Sequence, residues 1–243
     1  MFPLCDSTRR RGTPWMTLGL IGLNVAVFVF QLLLIQSGLG ERALQQWFMM
    51  FGVVPARFAQ GDWLWGGVTL VTSMFLHGGW LHILSNLWTL WIFGDNVEER
   101  MGHGRFLVFY LVAGIAGGVA QVVLNWGSVV PGVGASGAIA GVLGAYLLLF
   151  PRAQVDLLIP IFIFPWVVTV PAVLYLGFWG LMQFFSGVLS LGVVTAGGIA
   201  YWAHVGGFVA GLVLVGLFAR RVQRVLVERW DPLYGVVYEW VEV

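Results

Sequence analysis

Two polar side chains interrupt apolar sequence and are of the types needed for nucleophilic catalysis. Ser136 lies in GVGASGAIAG (132–141), and His204 lies in AHVGGFVAG (203–211). A serine hydroxyl is a weak nucleophile until a neighbouring base takes its proton, and an unperturbed histidine titrates near pH 6.5. If the two side chains meet, they can form a catalytic dyad. The alternative for His204 is a helix-packing histidine bonded to a backbone carbonyl.

Small residues follow both polar side chains at helical spacing. Gly137 and Gly141 follow the serine, and Gly207 and Gly211 follow the histidine. Such small-xxx-small patterns let two membrane helices approach closely. Among the predicted spans only 78–97 contains an Asp or Glu, namely Asp95 near its cytoplasmic end. No carboxylate is therefore expected beside Ser136 and His204, and the predicted constellation is a dyad without the carboxylate that usually orients the base.

A second polar pair occurs in HGGWLHILSN (77–86). His82 and Asn86 are four residues apart, so they share one helix face and can both donate hydrogen bonds toward a developing oxyanion. The alternative is an interhelical hydrogen bond. His77 could support the loop or hold water. A zinc site from His77, His82 and His204 is disfavoured by the i, i+5 spacing of the first two, and no metal or cofactor is expected.

The composition indicates that these residues sit in a membrane protein. Of the 243 residues, 59% are hydrophobic and 9% are charged, whereas soluble domains carry about 25% charged residues. The bilayer is therefore the expected solvent. A net charge of +1 without an aromatic-interleaved basic stretch argues against nucleic acid as a partner. A single cysteine, Cys5, excludes an internal disulfide.

Apolar runs predict an all-α fold with six membrane-spanning helices. The predicted spans are 15–36, 78–97, 104–125, 136–150, 165–186 and 200–219. Residues 37–76 are predicted to form a long interfacial loop with short helices, and 152–163 a short connection. The fourth helix, about 22 Å long, is too short to cross, so its Ser136 end is expected to lie inside the membrane.

Arginine placement predicts the orientation. The chain has no lysine and twelve arginines. If it crosses the membrane six times, ten of these arginines lie on the same side as the two termini, and Arg42 and Arg57 lie on the other side. This bias predicts cytoplasmic termini, with Ser136 toward the outer face. The predicted parts are a cytoplasmic segment (1–14), one membrane domain (15–219) and a cytoplasmic tail (220–243). Arginine-only, glycine-rich usage and compact size favour a prokaryotic plasma membrane.

Four motifs together resemble the rhomboid family of intramembrane serine proteases. They are HGGWLHILSN (77–86), GDNVEERMG (94–102), GASGAIAG (134–141) and AHVGGFVAG (203–211), and the resemblance covers about residues 15–219. It implies a six-helix core with a short fourth helix around a water-filled cavity open to the outside.

The resemblance also implies residue roles. Ser136 would be the nucleophile and His204 the general base, while His82, Asn86 and the backbone N–H of Ser136 would form the oxyanion hole. Further residues have implied structural roles, namely Gly134 beside the oxyanion hole, His77 under the cavity, and Glu98 and Arg100 in the turn after the second span.

The sequence departs from the family pattern at two places. Many members carry Trp-Arg at the positions of Val68 and Thr69, so the membrane-embedded loop must be held differently here. Some members place an aromatic residue four after the serine, where it stacks on the catalytic histidine. That position is Ala140 here, so Tyr201 or Trp202 is expected to orient His204 instead.

The expected function is proteolysis of membrane-anchored proteins within their transmembrane segments. A substrate helix would enter laterally between the second and fifth spans and unwind before cleavage. Two alternatives are a catalytically silent rhomboid-like protein that binds membrane proteins, and a small transporter or channel. The first typically lacks the serine or histidine, and the second needs polar residues along the whole path, whereas the cytoplasmic half of these spans is nearly all apolar.

Overall fold

Helices make up most of this computed structural model, which describes residues 2–8, 12–36, 40–161, 164–191, 198–220, 224–231 and 235–242. The helices are α1 (Trp15–Gln36), α2 (Gly40–Phe51), α3 (Pro55–Ala59), α4 (Trp63–Thr72), α5 (Trp80–Met101), α6 (His103–Leu124), α7 (Ser136–Leu149), α8 (Ala172–Ser190) and α9 (Tyr201–Phe218). The strands are β1 (Phe2–Asp6), β2 (Gln154–Ile161), β3 (Phe164–Pro171), β4 (Arg224–Asp231) and β5 (Gly235–Glu242).

Several helices have the length and composition needed to cross a bilayer. In the described part of the chain, α1, α6, α8 and α9 each qualify alone. A fifth candidate is the pair formed by α4 with its following 3₁₀ turn and α5, which meet at 83°. The chain is therefore a multi-pass integral membrane protein with a helical bundle, as predicted, while the count of six crossings stays a prediction.

Helix α7 lies at the centre of the bundle. It has 14 residues, about 21 Å of helix, which matches the short helix predicted at 136–150. All ten residues from Gly137 to Tyr146 are buried. The surrounding helices α5, α6, α8 and α9 bury it from all sides, and Phe93 and Tyr110 pack fully buried in the same core. A polar group on α7 can therefore face only other protein groups or a cavity.

The predicted fifth span begins in the wrong place. Residues 164–171 form strand β3, and the helix α8 runs from Ala172 to Ser190 instead of 165–186. The reason is local, because the β-branched run Val167–Val170 lies between two prolines, and both features favour extended backbone over helix. Strand β3 pairs antiparallel with β2 along its whole length, so the predicted short connection is part of a hairpin.

The N-terminal segment packs against the bundle through strand β1. Strand β1 pairs antiparallel with β2, giving a three-stranded sheet in the order β1-β2-β3 that the sequence did not predict. Val155 and Leu157 of β2 are buried in the core of the bundle. The Trp88 indole on α5 donates to the carbonyl oxygen of Pro3 (2.6 Å). The predicted C-terminal tail contains a second hairpin, β4–β5.

A polar cluster fastens β1 to two helices. The Asp6 carboxylate accepts hydrogen bonds from the Tyr146 hydroxyl on α7 and from Asn96 Nδ2 on α5 (2.9 Å). Burial raises the pKa of Asp6, and hydrogen bonds from Tyr146 and Thr8 oppose that shift. Asp6 therefore joins the N-terminal strand to the same helix that carries Ser136.

Glu98, a structural position implied by the resemblance, holds the start of α1. Its buried carboxylate accepts hydrogen bonds from the backbone N–H groups of Met16 (2.9 Å) and Thr17 (2.8 Å) and from the Thr17 hydroxyl (2.7 Å). A carboxylate here satisfies N–H groups of the first helical turn and complements the positive end of the helix dipole. The carbonyl oxygen of Arg100 accepts a hydrogen bond from the backbone N–H of Arg220 (2.8 Å). This bond connects the end of α5 to the residues that follow α9.

The loop between α1 and α5 is held by backbone carbonyl groups at the end of α2. The Arg57 guanidinium donates to the carbonyl oxygens of Met49 and Met50, and Trp65 Nε1 donates to that of Met50 (2.9 Å). Thr69 is buried and donates to Gly66 within its own helix, so it takes no part in this attachment. Arg57 and Trp65 thus hold a loop that lacks the Trp-Arg pair.

Candidate active site

The structure brings Ser136 and His204 into direct contact. Ser136 is the first residue of α7, and His204 is the fourth residue of α9. The hydroxyl oxygen of Ser136 lies 2.8 Å from Nε2 of His204, which is hydrogen-bond distance. The two side chains therefore meet at one end of the bundle, where both helices begin.

Glycines allow this contact because they remove side chains from the α7–α9 interface. A methyl group added to Gly207 would overlap the carbonyl oxygen of Gly137, and one added to Gly211 would overlap that of Gly141. The backbones of the two helices are thus in contact over two turns. The small-residue spacing read from the sequence predicted this close approach.

Two residues of α8 contact the imidazole ring of His204, and the sequence did not predict these contacts. Its Nδ1 lies 2.8 Å from Oε1 of Gln183, and its ring lies against Trp179, with ring centroids 5.9 Å apart and planes at 31°. Trp202 instead packs on Gly187 and Phe184 of α8. Gln183 stands out among the apolar residues of α8, so a strongly polar side chain inside a span was the available signal.

His82 and Asn86 lie one turn apart at the start of α5 and face the same region. The backbone N–H of Gly78 donates to Nδ1 of His82 (3.3 Å), an arrangement that assigns the ring proton to Nε2. Asn86 is buried, and its Nδ2 donates to the carbonyl oxygen of His82 (2.8 Å). An amide nitrogen carries two N–H groups, so the second one of Asn86 is available to another acceptor.

Gly134 separates His82 from Ser136. Its φ is +127°, a backbone angle that residues with a side chain rarely adopt. A methyl group added to Gly134 would lie 2.7 Å from Nε2 of His82 and 3.6 Å from the hydroxyl oxygen of Ser136. The space that this glycine leaves open is therefore bordered by one imidazole N–H and one hydroxyl. As the first residue of α7, Ser136 also presents a backbone N–H without an intrahelical acceptor.

His77 lies under this region and is fastened to α1. Its backbone N–H donates to Oε1 of Gln31 (3.1 Å), and its carbonyl oxygen accepts from Nε2 of Gln31 (2.9 Å). The His77 ring is buried and lies edge-on to the His82 ring, with centroids 5.1 Å apart. The polar glutamine in the first span thus fixes the loop that leads into α5.

A cavity opens at the same end of the bundle. Its volume is about 540 Å³, and its lining includes Gln121, Ser128 and Tyr201. Ser136 and His204 do not line this cavity, so a water-filled cavity that reaches the dyad stays a prediction.

Comparison with known proteins assigns the family. A family model described as a rhomboid domain matches residues 64–221. The chain is 40% identical over 139 residues to the rhomboid protease GluP of Bacillus subtilis, covering 57% of this chain and 25% of that protein. It is 29% identical over 209 residues to the mitochondrial rhomboid protein 1 of Saccharomyces cerevisiae, covering 84% of this chain and 54% of that protein. The chain thus spans between a quarter and about half the length of these relatives. The range 64–221, which the family model matches, contains all four predicted site residues. The chain belongs to the rhomboid family.

Proposed function

We propose that this protein is an intramembrane serine endopeptidase that cleaves transmembrane segments of membrane-anchored proteins. The observation that carries the proposal is the 2.8 Å contact between the hydroxyl of Ser136 and Nε2 of His204. A hydroxyl paired with an imidazole is the minimum arrangement for an activated serine nucleophile. The protease named among the relatives adds support from outside the geometry.

In the proposed reaction, Ser136 attacks the scissile carbonyl carbon while Nε2 of His204 takes the hydroxyl proton. The resulting imidazolium gives this proton to the leaving amine as the carbon–nitrogen bond breaks. A water molecule then attacks the acyl-enzyme, again losing a proton to His204, and the hydroxyl of Ser136 is regenerated. The reaction needs no metal or cofactor.

The oxyanion of the tetrahedral intermediate would be held beside Gly134. Its donors would be Nε2–H of His82, the second N–H of the Asn86 amide and the backbone N–H of Ser136. The hydrogen bond from Gly78 to Nδ1 of His82 supports this role, because it leaves the ring proton on Nε2. Loss of one such donor costs on the order of 100- to 1000-fold in rate.

The proposed substrate route passes between α5 and α8. Helix α5 carries proposed oxyanion donors, and helix α8 carries the residues that contact the His204 ring, so the two helices flank the dyad. Both helices also expose apolar side chains, such as Leu84 on α5 and Leu181 and Phe185 on α8. An apolar substrate helix would find matching surfaces there. Its peptide carbonyls are occupied by internal hydrogen bonds, so it must unwind locally, and glycine or proline near the cleavage point lowers that cost. The arginine bias supports cytoplasmic termini. The arginine-only, glycine-rich composition and the compact size support a prokaryotic plasma membrane.

The test combines covalent labelling with substrate cleavage in detergent. Wild-type protein is expected to react with a fluorophosphonate at Ser136 and to cleave a model transmembrane substrate. Ser136→Ala and His204→Ala are each expected to lose at least about 1000-fold in kcat. Matched controls are Ser85→Ala, an exposed serine on α5, and His103→Ala at the opposite end of the bundle; both should keep wild-type rates.

Two results would contradict the proposal. Failure of the folded wild-type protein to react with the fluorophosphonate would leave a protein that binds membrane proteins without cutting them. Cleavage that persists in Ser136→Ala or His204→Ala would mean that other residues perform the reaction.

A further inference from the structure

We propose that Gln183 is the positioning residue that fixes the tautomer of His204. The inference builds on the proposed function, in which Nε2 of His204 must accept a proton from Ser136. It starts from the contact between Nδ1 of His204 and Oε1 of Gln183, 2.8 Å apart and on two different helices.

The hydrogen-bonding capacity of the two groups gives the contact a direction. A neutral imidazole carries its proton on one nitrogen and a lone pair on the other, and an amide oxygen only accepts. Oε1 of Gln183 therefore holds the proton on Nδ1 of His204. The lone pair then lies on Nε2, which faces the Ser136 hydroxyl at 2.8 Å. The opposite tautomer would set two acceptors against each other at Nδ1 and could not take the proton of Ser136.

Trp179 completes the positioning from the same helix. It lies one turn before Gln183 on α8 and covers the His204 ring at 5.9 Å. Ala140 on α7, the position of an aromatic residue in some family members, is fully buried and has only a methyl group. Helix α8 thus supplies both contacts that set the plane and the proton position of the imidazole.

An amide suits this place better than a carboxylate. The groups that face His204 from the packed helices are Ser136 on α7, Gln183 and Trp179 on α8, and the titratable His82 on α5. No carboxylate among the described residues belongs to this set. A buried carboxylate without a permanent partner is costly in a membrane protein, whereas a neutral amide selects the tautomer without that desolvation cost.

Substitutions that separate shape from hydrogen bonding test the assignment. Gln183→Met keeps the length of the side chain but removes the acceptor, and it is expected to lower kcat by about 10- to 100-fold with little change in KM. The matched control is Gln121→Met on α6. Gln121 accepts a hydrogen bond from the backbone N–H of Ala203 (3.2 Å), next to His204, but does not touch the ring. This control is expected to keep kcat within about twofold of wild type, since it leaves the tautomer unchanged.

A conservative replacement gives a readout that a structural role would not move. Gln183→Glu restores an acceptor, so kcat is expected to recover at high pH. A carboxylate beside the imidazole favours its protonated form, and the base must be neutral to act. The acidic limb of the kcat profile is therefore expected to move to higher pH by about one unit or more. An unchanged kcat and pH profile in Gln183→Met and Gln183→Glu would overturn the assignment.

Nitrogen NMR of labelled histidine tests the tautomer without any activity. The wild-type spectrum should show the His204 proton on Nδ1, with His204→Ala identifying the signal, and Gln183→Met should show a mixture of tautomers. The same tautomer in both proteins would overturn the inference even if the enzyme is active. If instead wild-type protein fails to react with a fluorophosphonate, the proposed protease function fails, and the spectrum still decides whether Gln183 holds the ring.

Discussion

Gly134 offers a sharp test of the proposed oxyanion site, through the substitution Gly134→Ala. The added methyl group would lie 2.7 Å from Nε2 of His82, whereas ordinary contacts between such atoms begin at about 3.5 Å. The ring of His82 must therefore move by about 0.8 Å. A displacement of about 1 Å at a reacting centre can cost about 100-fold in rate, so we expect kcat to fall by about 100-fold. The φ of +127° adds strain of about 1–3 kcal/mol, which lowers the free energy of unfolding.

The matched control is Gly132→Ala, two residues earlier in the same loop. A methyl group there would lie 3.6 Å from the carbonyl oxygen of Val53, which is ordinary contact. We expect Gly132→Ala to keep kcat within about twofold of wild type. The assay measures kcat and KM on a model transmembrane substrate, together with thermal unfolding in the same detergent. Wild-type kcat in Gly134→Ala would refute the placement of the oxyanion beside this glycine.

Three further predictions concern stability. In Glu98→Gln, an amide N–H faces the donors at the start of α1, so we expect a loss of about 3 kcal/mol of unfolding free energy, measured by denaturant titration. The control Glu41→Gln, at an exposed position on α2, should change it little. Gly207→Ala forces α7 and α9 apart and should lower the unfolding temperature and kcat together, whereas Gly216→Ala, with open space around it, should not. The pKa of Asp6 is raised in the folded protein, so its ionisation opposes folding: its contribution is full below the unfolded pKa, near pH 4, and is lost as the pH rises through the folded pKa. Thermal unfolding of Asp6→Asn between about pH 4 and 7 should therefore depend less on pH than that of wild type; an equal pH dependence would contradict this assignment.

The sequence predicted the α7–α9 contact because its cause is local. Gly137 and Gly141 on one helix, and Gly207 and Gly211 on the other, are spaced so that any helix built from these segments has a bare stripe. The strongly polar groups in those segments lie next to the stripes, at Ser136 and His204. When two such stripes pack, the adjacent polar groups must come close together.

Other features depended on partners far away in the chain. The composition of an apolar run such as 164–171 fits either a strand or part of a membrane span. In the structure this run is a strand that pairs with β2, and β2 also pairs with β1 from the N-terminus. In the same way, Gln183 read alone is one amide in an apolar helix. Only the packing of α8 against α9 brings it to the imidazole nitrogen that Ser136 leaves free.

The sequence by itself therefore determined the membrane environment, the short α7 and the pair of polar side chains, because composition, helix length and glycine spacing act within one segment. Tertiary structure decided where α8 begins, how the N-terminal strand is attached and which residue contacts Nδ1 of His204. Those choices follow from contacts between distant segments that, unlike the glycine stripes of α7 and α9, leave no periodic pattern in either segment.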